Sequence, residues 1–166
     1  MEQKNSNLKR AGSDSLAQRE AEEVALVSVA HALGLHDLQL QRRFEMGIAF
    51  VVVDAFSESE NEVVLLEVNA RVGAAMKTAT KNKVLKDTLK MLLIERVNAG
   101  AWQKKRVRKV LVFLDAISLA SFGPKAWANQ VWAEFGFETH ICNIPGSHRE
   151  ALIRAQGAQD LRSETR

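Results

Sequence analysis

Two strongly apolar segments of this chain each carry a single carboxylate: Ile48 to Phe56 contains Asp54, and Val63 to Val68 contains Glu67. A buried ionised carboxylate is costly without a partner, so a fold that uses these segments as strands has to compensate both charges. Both runs are rich in Val and Phe, the composition of strands, and the polar Ser57 to Glu62 between them reads as a turn, giving an antiparallel hairpin. With Glu60 and Asn61 as the turn residues, partner numbers sum to 121. Asp54 then lies opposite Glu67 on one face, with Cβ atoms about 5 Å apart. Like charges so close raise one carboxyl's pKa unless a cation sits between them, and an oxygen-seeking ion such as Mg²⁺ suits that position. The inference depends on parity, because a three-residue loop would put the carboxylates on opposite faces.

The surrounding elements read as one α/β domain. Residues 1 to 13 are polar and aperiodic and read as a flexible tail. Residues 14 to 156 form the domain, and 157 to 166 a second tail. A helix is expected from Ser15, with Gln18 completing a capping box and Leu16, Val24, Val27, Ala30 and Leu33 as its apolar stripe, and Gly34 ends it. Leu38 to Phe44 suggests a short strand before the hairpin. Beyond it, Thr78 or Thr80 opens a second helix with Val84, Leu85, Leu89, Leu92 and Val97 as the buried stripe. Val110 to Leu114 is a strand, with Asp115 a cap at its end. Pro124 starts a helix running to Phe135, Glu138 to Ile144 is a last strand, and Ser147 to Ala155 a last helix. At least one of Trp127 and Trp132 is expected to pack on the sheet. The single cysteine, Cys142, reads as a core residue. No apolar run is long enough to span a bilayer and the N-terminal stretch lacks the apolar segment of a signal peptide, so a cytoplasmic protein without membrane attachment is expected.

Charge is segregated along the chain. Residues 1 to 76 hold seven Lys and Arg against twelve Asp and Glu, whereas residues 77 to 109 hold eleven against two. A basic block behind an acidic pair suits a polyanion bound through a metal, although the same run also fits a solvated helix face. Arg71, Lys77, Lys86, Lys104, Lys105 and Arg106 are the candidates for holding a nucleic-acid backbone. Of the acidic residues on the first helix, Glu23 is the candidate additional metal ligand.

The segment VVVDAF followed by VVLLEVNAR resembles the PD-(D/E)xK nuclease superfamily, over roughly Leu16 to Asp115. In that family a helix precedes a hairpin carrying an Asp and then a second acid, with a catalytic lysine two positions later. Asp54 and Glu67 match the two acids, Val53 stands where the motif has proline, and Asn69 stands where it has lysine. Some members supply the lysine from the following helix, where Lys77, Lys81 and Lys83 lie. The resemblance implies a restriction-endonuclease-like αβββαβ core with a mixed central sheet flanked by helices. It also implies Mg²⁺ or Mn²⁺ on Asp54 and Glu67, with Lys83 or Lys81 completing the catalytic set. The expected function is a metal-dependent nuclease acting on DNA or, second, RNA, working as a homodimer or with a partner protein. The alternative is an inactive nuclease-like subunit that binds nucleic acid or protein. A plain interaction domain, with both acids paired to lysines, is the third reading.

Overall fold

The computed structural model describes residues 2–164, and the side-chain surroundings of residues 16–158. Five strands form one open mixed sheet in the order β1-β2-β3-β4-β5. They are β1 (Gln39–Met46), β2 (Ala49–Glu58), β3 (Glu62–Asn69), β4 (Arg106–Phe113) and β5 (Phe137–Ile141). The first three run antiparallel and the last three parallel. Parallel neighbours need crossovers. α2 (Thr78–Asn98) supplies one, and α3 (Ala116–Ala120) with α4 (Trp127–Glu134) the other. α1 (Glu2–Ala32) and α5 (Gly146–Glu164) complete the chain. The expected α/β class, with a mixed sheet flanked by helices, is what forms.

β3 lies at the centre and is buried from Val63 through Asn69. Its alternation sends Val64, Leu66 and Val68 to the face covered by α1 and α5, where they meet Ala21, Ala25, Leu26, Val29 and Leu152. Val63 and Leu65 go to the opposite face, with Val84, Met91 and Ile94 of α2 and Trp132 of α4. Trp132 also donates to the Thr88 hydroxyl at 3.1 Å, whereas Trp127 is exposed. Cys142 is buried, as expected.

Both helix stripes differ from expectation. On α1, Leu16 and Val27 are exposed, and the buried face is Ala21, Ala25, Leu26, Val29 and Ala30. Small residues let the helix lie close to the sheet, so the buried stripe does not follow the largest apolar side chains. α2 is apolar on two sides: Val84, Thr88, Met91 and Ile94 are buried, while Leu89, Leu93 and Val97 are exposed. α1 extends back to Glu2 and α5 on to Glu164, through most of the stretches expected as tails. Those stretches lack an apolar stripe but contain good helix formers, and the lack of a stripe removes burial without removing helix propensity. Gln18 sits inside α1, where it hydrogen-bonds Glu22 and caps nothing.

The register of β2 with β3 is the expected one, each pair of partner numbers summing to 121 from Ala55 and Leu66 to Glu58 and Val63. The strand is not straight, however. Paired residues skip Gln41 and Asp54, and Gln41 has a φ of 51°, a left-handed backbone that a non-glycine residue seldom adopts. On one side of this break Ala55 joins the core beneath α1, and on the other Val53 joins the core beneath α2. The ladder partner of Phe56 is Gln39, five positions from Phe44, so straight strands would hold Phe44 and Phe56 about 16 Å apart at the usual rise. Their ring centroids are 5.3 Å apart. The β1–β2 arm therefore folds back over Phe56 and Trp102, with Asp54 at the corner.

Candidate functional site

The bend determines where Asp54 points. Its Oδ2 accepts the Val68 backbone N–H at 2.9 Å, replacing a ladder carbonyl, and its Oδ1 faces the Gln41 amide at 3.4 Å. Around it opens a cavity of about 470 Å³ lined by Gln18, Glu22 and Glu23 of α1, by Gln41, and by Lys83 of α2. Glu22 is half-buried on the side of α1 facing this cavity, and its Oε1 accepts from Gln18 Nε2 at 2.8 Å. Burial raises the Glu22 pKa, the Gln18 bond opposes that, and the Asp54 charge adds to the rise. Lys83 pulls the other way, so acid and base face each other across the cavity.

Glu67 lies on the far side of β3 from α1, 3% exposed, against α2. Lys90 Nζ reaches its Oε1 at 2.5 Å and Asp87 Oδ1 at 3.2 Å. The void beside it is too small to admit a water molecule. Burial first, then the charges of Asp54 and Asp87, push the Glu67 carboxyl up to about 9, against the pull of Lys90. Burial also works against the Lys90 charge, and the two carboxylates outweigh it. Lys90 is thus the cation shared by Glu67 and Asp87. The turn parity was right, but the bend separates the two acids: Asp54 borders the open cavity and Glu67 a closed one.

The other expected site residues are distributed unevenly. Glu23 borders the cavity but is exposed, and Glu22 is the acid coupled to Asp54. Lys83 is in place, while Lys81, two positions earlier, borders neither this cavity nor the next. Asp87, one turn beyond Lys83, pairs with Lys90. Arg71 and Lys83 both border a second cavity of about 290 Å³, which also shares Gln18 with the first. Lys77 is at the N-cap of α2, and Lys86 is exposed further along it.

Lys104, Lys105 and Arg106 are not brought to the site. Arg106 pairs with Glu62 at the start of β3, five residues from Glu67 and so about 16 Å away along the strand. Lys105 is occupied by Glu58 Oε1 and Ser59 O, both at 2.8 Å. A charge run adjacent in sequence to a strand is carried to whichever end of the sheet that strand begins.

Sequence reasoning missed the residues that fix the loop between β3 and α2. Asp115 caps α3 through Ser118 N at 2.8 Å, as expected, but its Oδ2 also accepts from Gly73 N at 2.7 Å. Ser118 Oγ donates to Arg71 O, Ser121 Oγ accepts from Met76 N, and Gln156 Nε2 donates to Ala70 O. Glu22 was detectable, since it precedes Leu26 by four and Val29 by seven residues on the buried stripe. The Lys83, Asp87, Lys90 spacing likewise marks one side of α2.

Among the described residues no three His, Cys, Asp or Glu side chains gather as a ready-made metal cluster. Mg²⁺ commonly uses only one or two carboxylates and fills its remaining positions with water. Asp54 and Glu22, oxygen donors on an open cavity and mutually repelling, fit that coordination. Among the described residues no helix is long and apolar enough to cross a membrane. No family model matches the chain, and no curated protein matches it.

Proposed function

We propose that this chain is a Mg²⁺- or Mn²⁺-dependent phosphodiesterase that cleaves a nucleic-acid strand, DNA in preference to RNA, on a restriction-endonuclease-like αβββαβ core. The observation that carries the reading is the convergence of Asp54, Glu22 and Lys83 on one open cavity at a deliberate bend in the sheet. Backbone breaks of this kind cost stability and concentrate at functional sites.

Asp54 and Glu22 would hold the ion. When bound, such an ion polarises a phosphoryl oxygen and lowers the pKa of an attacking water. The Lys83 ammonium balances negative charge developing on the phosphate, the role that the resemblance assigns to a displaced lysine. Gln18 and Gln41 orient Glu22 and Asp54 through their amides. Arg71 binds the strand electrostatically, and no residue in the cavity is arranged to read a base edge. Self-association or a partner protein would extend a strand-binding surface that this small domain offers only in part.

A second reading keeps the fold and the nucleic acid and drops cleavage. It is favoured by Asn69 at the motif lysine and by the engagement of Glu67 with Lys90. Wild type, Asp54→Ala and Lys83→Ala are to be incubated with single- and double-stranded DNA and RNA, with Mg²⁺, Mn²⁺ or EDTA. Metal-dependent cleavage lost in both variants is the expected result. Cleavage that persists in EDTA and in Asp54→Ala refutes the nuclease reading, and binding without cleavage on every substrate selects the second.

A further inference from the structure

β5 forms one border of the sheet, and among the described residues no strand lies beyond it. One bond fixes its backbone directions. Cys142 N, directly after the strand, donates to Phe113 O of β4. Residues along a strand turn their N–H and C=O groups alternately to either side, so those of Glu138 and His140 also point to β4, and those of Phe137, Thr139 and Ile141 point outward. Such a row of outward groups is a template for another strand. The two borders of the sheet differ in protection. β1 is broken at the left-handed Gln41 and carries Arg42 and Arg43, features that discourage pairing, whereas β5 has no proline, no lysine and an unbroken register, at an ordinary strand length.

The sequence of β5 is complementary to itself. Set antiparallel to a second copy about Thr139, it places Phe137 opposite the partner's Ile141 and Glu138 opposite the partner's His140, with the two threonines facing each other. This register matches the backbone. The pairs made by Thr139 with its equivalent and by Phe137 with Ile141 use only outward-pointing residues, so each exchanges two hydrogen bonds. Glu138 and His140 fall at the intervening positions, where facing side chains stand closest. Arg108 holds Glu138 in place, its Nε and Nη2 donating to the two carboxylate oxygens at 2.7 Å, so the acid is oriented to accept from the imidazole opposite. On the other side of the sheet, Phe137 and Thr139 border an open cleft of about 500 Å³ with Leu119, Pro124 and Trp132. Ile141, on that same side, and Phe135, just before the strand, are 42% and 51% exposed. The partner's Ile141, opposite Phe137, would cover this apolar surface.

We propose that β5 is a homodimer interface, occupied by β5 of a second copy in antiparallel register about Thr139, so that two sheets join into one of ten strands. The contact is isologous, the same patch serving both copies. Its two-fold axis is normal to the joined sheet, so both α1 helices, and with them both Asp54 cavities, lie on one side of it. The interface requires neither metal nor nucleic acid and stands whether or not the chain cleaves a strand.

Sedimentation equilibrium of the full chain, without metal or nucleic acid, is expected to give a mass that rises with concentration to twice that of the monomer. Thr139→Lys sets two ammonium groups opposite each other at the axis and should raise the dimer dissociation constant by about fivefold or more, while Thr139→Val should leave it near wild type. Cysteine substitution reads the register. Facing Cα atoms at the axis are about 5.5 Å apart, within disulfide range, whereas the two copies of position 141 are more than about 13 Å apart. Mild oxidation should therefore cross-link Thr139→Cys and not Ile141→Cys; the native Cys142 is buried and common to both. A wild type that stays monomeric at every concentration overturns the interface. So does equal cross-linking of the two cysteine variants, or a dimer in which Thr139→Cys does not cross-link. If Thr139→Lys does not fold, the cysteine pair decides.

Discussion

Asp115→Ala tests whether the β3–α2 loop is held from below. The wild-type carboxylate caps α3 at Ser118 N, accepts from Gly73 N, and pairs with Arg149 Nη2 at 3.0 Å. Removing an N-cap costs about 1 kcal/mol. The Gly73 bond adds about 0.5 to 1 kcal/mol, at the low end because Gly73 is exposed and water can replace the acceptor. The ion pair adds less than about 1 kcal/mol, since Arg149 is 36% exposed and screened. Together these give about 2 kcal/mol, or a Tm lower by about 4 to 8 °C for a chain of this length. Asp115→Asn keeps the cap and loses the charge, so it should lose about half as much. The assay is urea unfolding at constant m-value, repeated as a function of pH. Burial works to raise the Asp115 pKa, but the bonds from Gly73, Ser118 and Arg149 outweigh it and hold it below the ordinary carboxylate value. A folded pKa below the unfolded one gives stability that is fully present above the unfolded pKa and disappears as pH falls through the folded one. That acid limb should flatten in both variants. Equal losses for Ala and Asn, or a wild-type midpoint for Asp115→Ala, would refute the reasoning.

Other consequences follow from the same geometry. Lys90→Met leaves Glu67 and Asp87 without their cation and should cost about 3 kcal/mol by denaturant unfolding, with most of it restored in Lys90→Met/Glu67→Gln; no restoration would mean that the lysine acts by packing alone. Arg71→Gln should lower the slope of log affinity against log salt by about one for a DNA oligonucleotide, while Lys105→Gln, on a residue already occupied by Glu58 and Ser59, should leave it unchanged. Trp132→Phe keeps an aromatic ring edge-on to Phe122, whose centroid lies 4.8 Å from that of Trp132, but loses the Thr88 bond, so thermal unfolding should show a loss of about 1 kcal/mol.

The parts of this molecule that the sequence disclosed are those governed by local periodicity. Val and Phe runs mark β2 and β3, and turn arithmetic fixes their register because pairing in a hairpin is set at its closed end. Such arithmetic assumes straight strands, and nothing in QLQRRF or VVVDAF announces that both strands switch faces at Gln41 and Asp54. The switch is tertiary in origin, since the arm folds back to bury Phe44 beside Phe56 and Trp102, a residue more than forty positions downstream. The site depends on it. With straight strands Asp54 would stand beside Glu67 beneath α2, and its Oδ2 would not be the acceptor for Val68 N. The bend instead turns the carboxylate to the edge of the cavity beside α1, which is why it shares that cavity with Glu22 and Lys83, while Glu67 is paired with Lys90 on the far face and still feels the Asp54 charge. The same apolar cluster that stabilises the arm therefore sets the electrostatics of the cavity, and a substitution that relaxed the arm would move Asp54 without touching it.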